Sequence, residues 1–281
     1  MININEKLKI VTISLIIIIF DICVWAAITS IIKMIGFKLF DNYTINAGCL
    51  HIFMLISMYF VVKKYNNGRF SIDFVGMKLK QNSFRQLLIG IGIGMLMFFI
   101  WFLILNVTKT VEFKGIGFMF YPINKVFLSI ISALMLSISV AFTEEIAFRG
   151  IILNQLMQYK GKIFALILSA LMFTLCHMED YNHFYTLLYV FGMGIILGCL
   201  YIMTGSLYLS IGLHFAVNFG VFILTFDNSL LVYEAKVSNS LLVLYFNYSQ
   251  IFTELVMIIV LIFINLKYSY IRRERSFLGK S

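Results

Sequence analysis

Two adjacent carboxylates, Glu144 and Glu145, and the nearby Arg149 follow directly on "VFLSIISALMLSISV", a run without a single charged residue. Two more polar clusters interrupt later apolar stretches: "FTLCH", Phe173 to His177, and "HFAVN", His214 to Asn218. On a helix, Glu145 and Arg149 are four residues apart, share a face and can pair as carboxylate and guanidinium. Such a pair is either part of a site or a buried clamp that fixes helix packing. Glu144 is turned away by about 100° and has no such partner in its own helix. The chemistry this set supports is attack by water on a carbonyl. A carboxylate and an imidazole can hold and deprotonate the water, while a second imidazole and an amide can donate hydrogen bonds to the oxyanion that develops.

Whether these groups meet depends on the elements that carry them. Of the 281 residues, 61% are hydrophobic, 12% are charged and one is proline, whereas an ordinary globular domain is about a quarter charged. The composition is that of an all-α, polytopic membrane protein. Windows of roughly 20 apolar residues give about eight transmembrane helices: Ile10 to Ile32, Ile45 to Val62, Leu87 to Val107, Val126 through Glu144, Ile163 to Cys176, Phe184 to Met203, Leu207 to Phe226 and Ile251 to Leu266. The first follows Lys7 and Lys9 but is too long for a signal peptide and contains Asp21, so it reads as an uncleaved helix. With the basic turn Lys160 to Lys162 as a hairpin end, Glu144 and His177 each lie about 16 residues away, or about 24 Å along antiparallel helices. His214 and Asn218 share one helical face. At membrane depth, ionisable residues face a bundle interior or a watery cavity. All of them can therefore point into one cavity.

Basic residues set the orientation. The connection from Lys63 to Arg85 and the tail after Lys267 are rich in lysine and arginine and are expected in the cytoplasm. Eight spans with the N-terminus inside satisfy both, and put the connections carrying Glu179 and Asp180, and Asp227 and Glu234, outside. The net charge of +9 then reports topology and contact with anionic headgroups rather than nucleic acid. Cys23, Cys49, Cys176 and Cys199 form no CxxC pair, so disulfide and metal-cage readings are poor. No repeat and no soluble domain stands out, which makes residues 1–281 a single membrane domain.

"EEIAFRG", "FTLCH" and "HFAVN" together resemble the EExxFRG, FxxxH and HxxxN motifs of the CAAX protease and bacteriocin-processing (CPBP, or Abi) intramembrane endopeptidases. The resemblance extends over about Phe127 to Val221, within a protease core at 124–226, and includes a glycine-rich stretch before the second histidine. It implies an endopeptidase in which Glu144, with His177, activates the water and His214 and Asn218 stabilise the oxyanion. Glu145, Arg149 and Phe173 would shape the site. The resemblance carries over no particular substrate, since members vary widely; a hydrophobic or membrane-associated peptide or protein, such as a bacteriocin leader, is the expectation. No cofactor is firmly expected; a zinc ion held by Glu144, His177 and His214 is the alternative, and would leave Glu145 as the base.

Other protease signatures are missing: there is no HExxH, no GxGD pair and no GxSG serine. Cys176 adjoins His177, but neighbouring helical residues diverge and pair poorly. A transporter or proton relay using buried Glu and His, or a non-catalytic immunity or scaffold protein, are the readings from other classes. Gly90, Gly92, Gly94, Gly194 and Gly198 read as close helix packing. Asp21 and His51 read as packing groups or a distal cavity wall. High Ile, Asn and Lys with little proline suggests a bacterial plasma-membrane protein, with both termini cytoplasmic.

Overall fold

The computed structural model describes residues 4–35, 43–66, 68–69, 71–177 and 184–278. Lipid cannot satisfy backbone N–H and C=O groups, so each apolar run closes its hydrogen bonds within a helix. The helices are α1 (Ile4–Met34), α2 (Tyr43–Tyr65), α3 (Ser83–Val107), α4 (Ile123–Glu144), α5 (Asn154–Lys160), α6 (Lys162–Leu175), α7 (Phe184–Thr204), α8 (Tyr208–Thr225) and α9 (Asn239–Leu278). Between α4 and α5 the chain does not break but widens into a π-helical stretch, Glu145–Leu153. The result is one apolar rod from Ile123 to Lys160. Gly161, at φ +85°, ends it and turns the chain into α6.

Among the described residues seven helices are long and apolar enough to cross a membrane. The remaining expected span, Ile163 to Cys176, is α6, an apolar helix of 14 residues. At 1.5 Å per residue it is about 21 Å long, short of a hydrocarbon core of about 30 Å. It packs against α7 and the π-helical stretch. The acidic pair Glu179 and Asp180 lies outside the described residues.

Two features were not expected. The connections before α4 and after α8 pair as an antiparallel ribbon, β1 (Val111–Ile116) with β2 (Leu231–Ala235), with Val111 opposite Ala235 and an irregularity between Phe113 and Gly115. Its edges are laced by charge: Lys114 lies 2.9 Å from Glu112 and 2.7 Å from Glu234, and Lys236 lies 2.6 Å from Glu112 and 2.9 Å from Glu234. The last helix also starts at Asn239, well before the expected Ile251. Both differences follow from local pattern. Alternating polar residues in the ribbon are too few to signal strands, and the polar residues near the start of α9 hide the helix from a hydropathy window.

α3 and α8 touch backbone to backbone. A Cβ added to Gly90 would collide with the Leu209 carbonyl, and one added to Gly212 with the Leu87 carbonyl. Gly94, Gly194 and Gly198 are likewise closed in by neighbouring helices. Gly92 is not: nothing lies within 4 Å of its Cβ position, because two residues from Gly90 is the opposite side of the helix. Behind the site, Phe148, Ile151, Ile152 and Leu153 of the π-helical stretch are buried with Ile10, Ile18, Met54 and Met58 of α1 and α2. Asp21 ties α1 to α2, its carboxylate accepting from the Ser57 hydroxyl at 3.1 Å.

Candidate active site

Glu144 is the last residue of α4 and Glu145 the first of the π-helical stretch. Widened turns of this kind are frequent at functional sites. The Phe148 carbonyl within the stretch accepts a hydrogen bond from Ser169 of α6 at 3.2 Å. Glu145 is wholly buried, and Arg149 is 1% exposed. Arg149 Nη1 donates to Glu145 Oε1 at 2.9 Å, Nη2 donates to the Gly194 carbonyl at 3.3 Å, and the guanidinium sits 4.5 Å from the centre of the Phe173 ring. Phe173 is the hub: its ring lies 4.5 Å from that of His177, 5.1 Å from Phe148 and 6.3 Å from His214.

The structure brings Glu144, His177 and His214 together. His177 Nε2 lies 3.6 Å from Glu144 Oε1, and His214 Nε2 lies 3.7 Å from Glu144 Oε2. Both rings are fixed from behind. His177 Nδ1 is 2.8 Å from the Phe173 carbonyl, which can only accept, so Nδ1 carries the proton. His214 Nδ1 is 3.0 Å from Glu145 Oε1, where the carboxylate accepts in the same way. The His214 ring therefore stands between the two carboxylates, with one nitrogen toward each. Glu145 Oε1 holds both Arg149 and His214.

These groups open on a cavity of about 640 Å³. Asn218, one turn beyond His214, lines it as expected, and so does His51 of α2. His51 is close enough to Glu144 to interact with it electrostatically, and its carbonyl accepts from Thr143 at 3.3 Å. The rest of the wall comes from parts of the chain not singled out by the sequence reading: Thr186 and Tyr189 of α7, Tyr233 of the ribbon, and Phe246, Asn247 and Gln250 of α9. Asn247 donates to Thr186 at 2.9 Å across the wall. A signal for the α9 face was present, since Asn247, Gln250 and Glu254 fall at i, i+3 and i+7 and so on one side of a helix.

Glu144, His177 and His214 are the residues that would hold a zinc ion. As placed, the two imidazoles address different oxygens of Glu144, and among the described residues no group of three or more His, Cys, Asp or Glu side chains is arranged to hold a metal ion. Glu145, the base that a zinc site would require, is already engaged by Arg149 and His214.

Fold and site together define a polytopic helical membrane protein with a buried carboxylate and imidazole centre. Residues 126–220 match the family model described as type II CAAX prenyl endopeptidase Rce1-like. Over this segment, about a third of the chain, the protein is similar to that family of endopeptidases. No curated protein matches the chain.

Proposed function

We propose that the protein hydrolyses a peptide bond of a hydrophobic, membrane-associated peptide or protein, using water activated at Glu144. One observation carries this reading: a buried carboxylate flanked by two back-anchored imidazoles opens on a cavity large enough for a peptide segment. Water between Glu144 and His177 gives its proton to the carboxylate while its oxygen attacks the carbonyl carbon. The oxyanion that forms is met by His214 and by the Asn218 amide. Collapse breaks the C–N bond, and the departing amine takes the proton held by Glu144.

The anchoring of His214 refines its role. With Nδ1–H directed at Glu145, Nε2 can donate to an oxyanion only if the ring is an imidazolium. Two carboxylates, Glu144 and Glu145, then face two cations, Arg149 and His214, and the buried cluster is neutral. Glu145 and Arg149 are positioning residues in this scheme.

The lysine and arginine pattern supports cytoplasmic termini; the ribbon keeps β1 and β2 on one side, so α6, though short, counts as the eighth crossing, and the Ile-, Asn- and Lys-rich composition with one proline supports a bacterial plasma membrane. A bacteriocin-type leader or another membrane protein is the substrate class proposed. The test is cleavage of quenched-fluorescent hydrophobic peptides by the purified full chain in lipid nanodiscs. Glu144→Gln keeps size and removes the base, and His177→Ala removes its partner; each is expected to lose about 10²-fold or more. Cleavage by Glu144→Gln at the parental rate would sink the mechanism and bring an ion-relay role forward.

A further inference from the structure

A further buried carboxylate lies within an apolar span, with no basic side chain beside it among the described residues that line its pocket. Glu254 lies in the interior of the apolar span Asn239–Asn265 of α9 and is 3% exposed. Its Oε1 has no hydrogen-bond partner. The helix opposite is notched to receive it: a Cβ on Gly192 of α7 would collide with the carboxylate. An unpaired carboxyl group in such a place costs free energy and is a functional candidate by default.

The carboxylate borders a small void of about 20 Å³, which Phe98, Trp101, Tyr189, Gln250 and Thr253 also line. None of the lining residues is basic. The void adjoins the large cavity, with Tyr189, Met193, Val221 and Gln250 bordering both. The aromatic wall is held in place: the Phe98 and Trp101 rings are 5.3 Å apart, and Trp101 Nε1 donates to the Phe246 carbonyl at 3.2 Å. A carboxylate in an aromatic-lined void offers an organic cation an opposite charge and polarisable neighbours.

Resting on the endopeptidase reading above, we propose that this void is a subsite for an alkylammonium group, the side chain of a lysine at a fixed position in the bound peptide. Size selects the ammonium. A void of this volume admits a group about as large as one water, which an ammonium is and a guanidinium is not. The apolar stem of the lysine lies along Met193 and Val221, which border both spaces. Depth selects the source, since a lipid headgroup remains at the interface whereas a peptide in the cavity can direct a side chain sideways into the void.

Two measurements on the full chain in nanodiscs test this. In the first, hydrophobic peptides carry lysine, arginine or norleucine at one position at a time. One position is expected to favour lysine over both others by tenfold or more in kcat/KM, and the ratio of lysine to norleucine is expected to fall to near one in Glu254→Gln and in Gly192→Ala. A parent enzyme that cleaves but shows no lysine preference at any position, or a preference that survives both substitutions, overturns the proposal. The second measurement does not depend on cleavage. With Trp25→Phe leaving Trp101 as the reporter, n-butylammonium should shift the fluorescence, and n-butylguanidinium or the Glu254→Gln background should not. Cleavage lost with ammonium binding intact would count against the endopeptidase reading alone; no ammonium response would count against the subsite. A fluorescence signal that follows the phosphatidylethanolamine content of the disc overturns the assignment to substrate.

Discussion

Glu145→Gln separates what the buried cluster does for folding from what it does for the site. In the parent, Glu145 Oε1 accepts from Arg149 at 2.9 Å and from His214 at 3.0 Å, with Glu145 at 0% and Arg149 at 1% side-chain exposure. Glutamine keeps the shape and one accepting oxygen but removes the charge. Arg149 then keeps the amide oxygen, the Gly194 carbonyl and the Phe173 face but loses its hydrogen-bonded anion. Removing one member of a buried ion pair costs about 3–5 kcal/mol, and the retained oxygen puts this case near the lower figure. About 3 kcal/mol is about 10²-fold in the folded ratio, against a total stability of roughly 5–15 kcal/mol for a typical protein. A lower yield of monodisperse protein and a lower unfolding midpoint in detergent are expected.

The double variant Glu145→Gln with Arg149→Met makes the argument refutable. It removes the stranded cation, and apolar replacement of a buried ion pair is often neutral or stabilising, so the midpoint should recover most of the loss. Cleavage per folded molecule should not recover, because His214 still lacks the anion behind Nδ1. Fluorescence-detected size-exclusion and thermal unfolding give the first quantity, and peptide cleavage normalised to folded protein gives the second. If Glu145→Gln melts with the parent, the ion pair does not hold the bundle. If the double variant regains cleavage along with stability, Glu145 does not act through His214.

Asn218→Ala should lower kcat by about 10²-fold through loss of one oxyanion donor, with KM for hydrophobic peptides little changed; a pure KM effect would make Asn218 a substrate contact instead. The ribbon should loosen in acid. Hydrogen bonds from Lys114 and then Lys236 hold Glu234 down at about 2, and Lys236 and then Lys114 lower Glu112. A carboxylate with a depressed folded pKa stabilises above its unfolded value and loses that contribution as pH falls toward its folded value. Amide exchange in 111–116 and 231–235 is therefore expected to rise, after correction for intrinsic rates, between about pH 4.5 and 2, and protection that stays flat across that window would contradict the pairing. Reporter fusions after Lys267 and within 63–85 should be active only in the cytoplasm, and one within 227–238 only outside; the reverse pattern would invert the topology.

Much of this arrangement is legible in the sequence because membranes simplify the code. Hydropathy places most of the helices, since an apolar run in lipid has few alternatives to a helix. The meeting of Glu144 with His177 follows from counting residues back to Lys160, as Gly161 does reverse the chain there. What escapes is whatever depends on small departures from regular structure. The ribbon carries only short alternating stretches, and α6 is apolar enough to read as a span although its 14 residues fall short of one. Glu254 sits inside a run whose hydropathy masks a single carboxylate, and only its spacing from Asn247 and Gln250 marks a face. His51 is visible as a buried histidine, but its place beside Glu144 depends on how α2 packs on α4, which no local pattern encodes.

The π-helical stretch shows why two neighbouring carboxylates can serve one site. In a regular α-helix, consecutive residues diverge by about 100°, which would send Glu145 away from whatever Glu144 faces. The i→i+5 bonding of a π-helix widens the turn and reduces the angle between neighbours just where Glu145 begins the stretch. The His214 ring spans what remains of the divergence, presenting Nε2 to Glu144 and Nδ1 to Glu145. The widened turn is held by its surroundings: Ser169 takes up the Phe148 carbonyl, and Gly150 lets the main chain approach the Val75 carbonyl, where a Cβ would clash. The glycine that follows Arg149 thus belongs to the same device as the two glutamates before it, since a side chain there would push the stretch off α2's connection and rotate Glu145 away from His214.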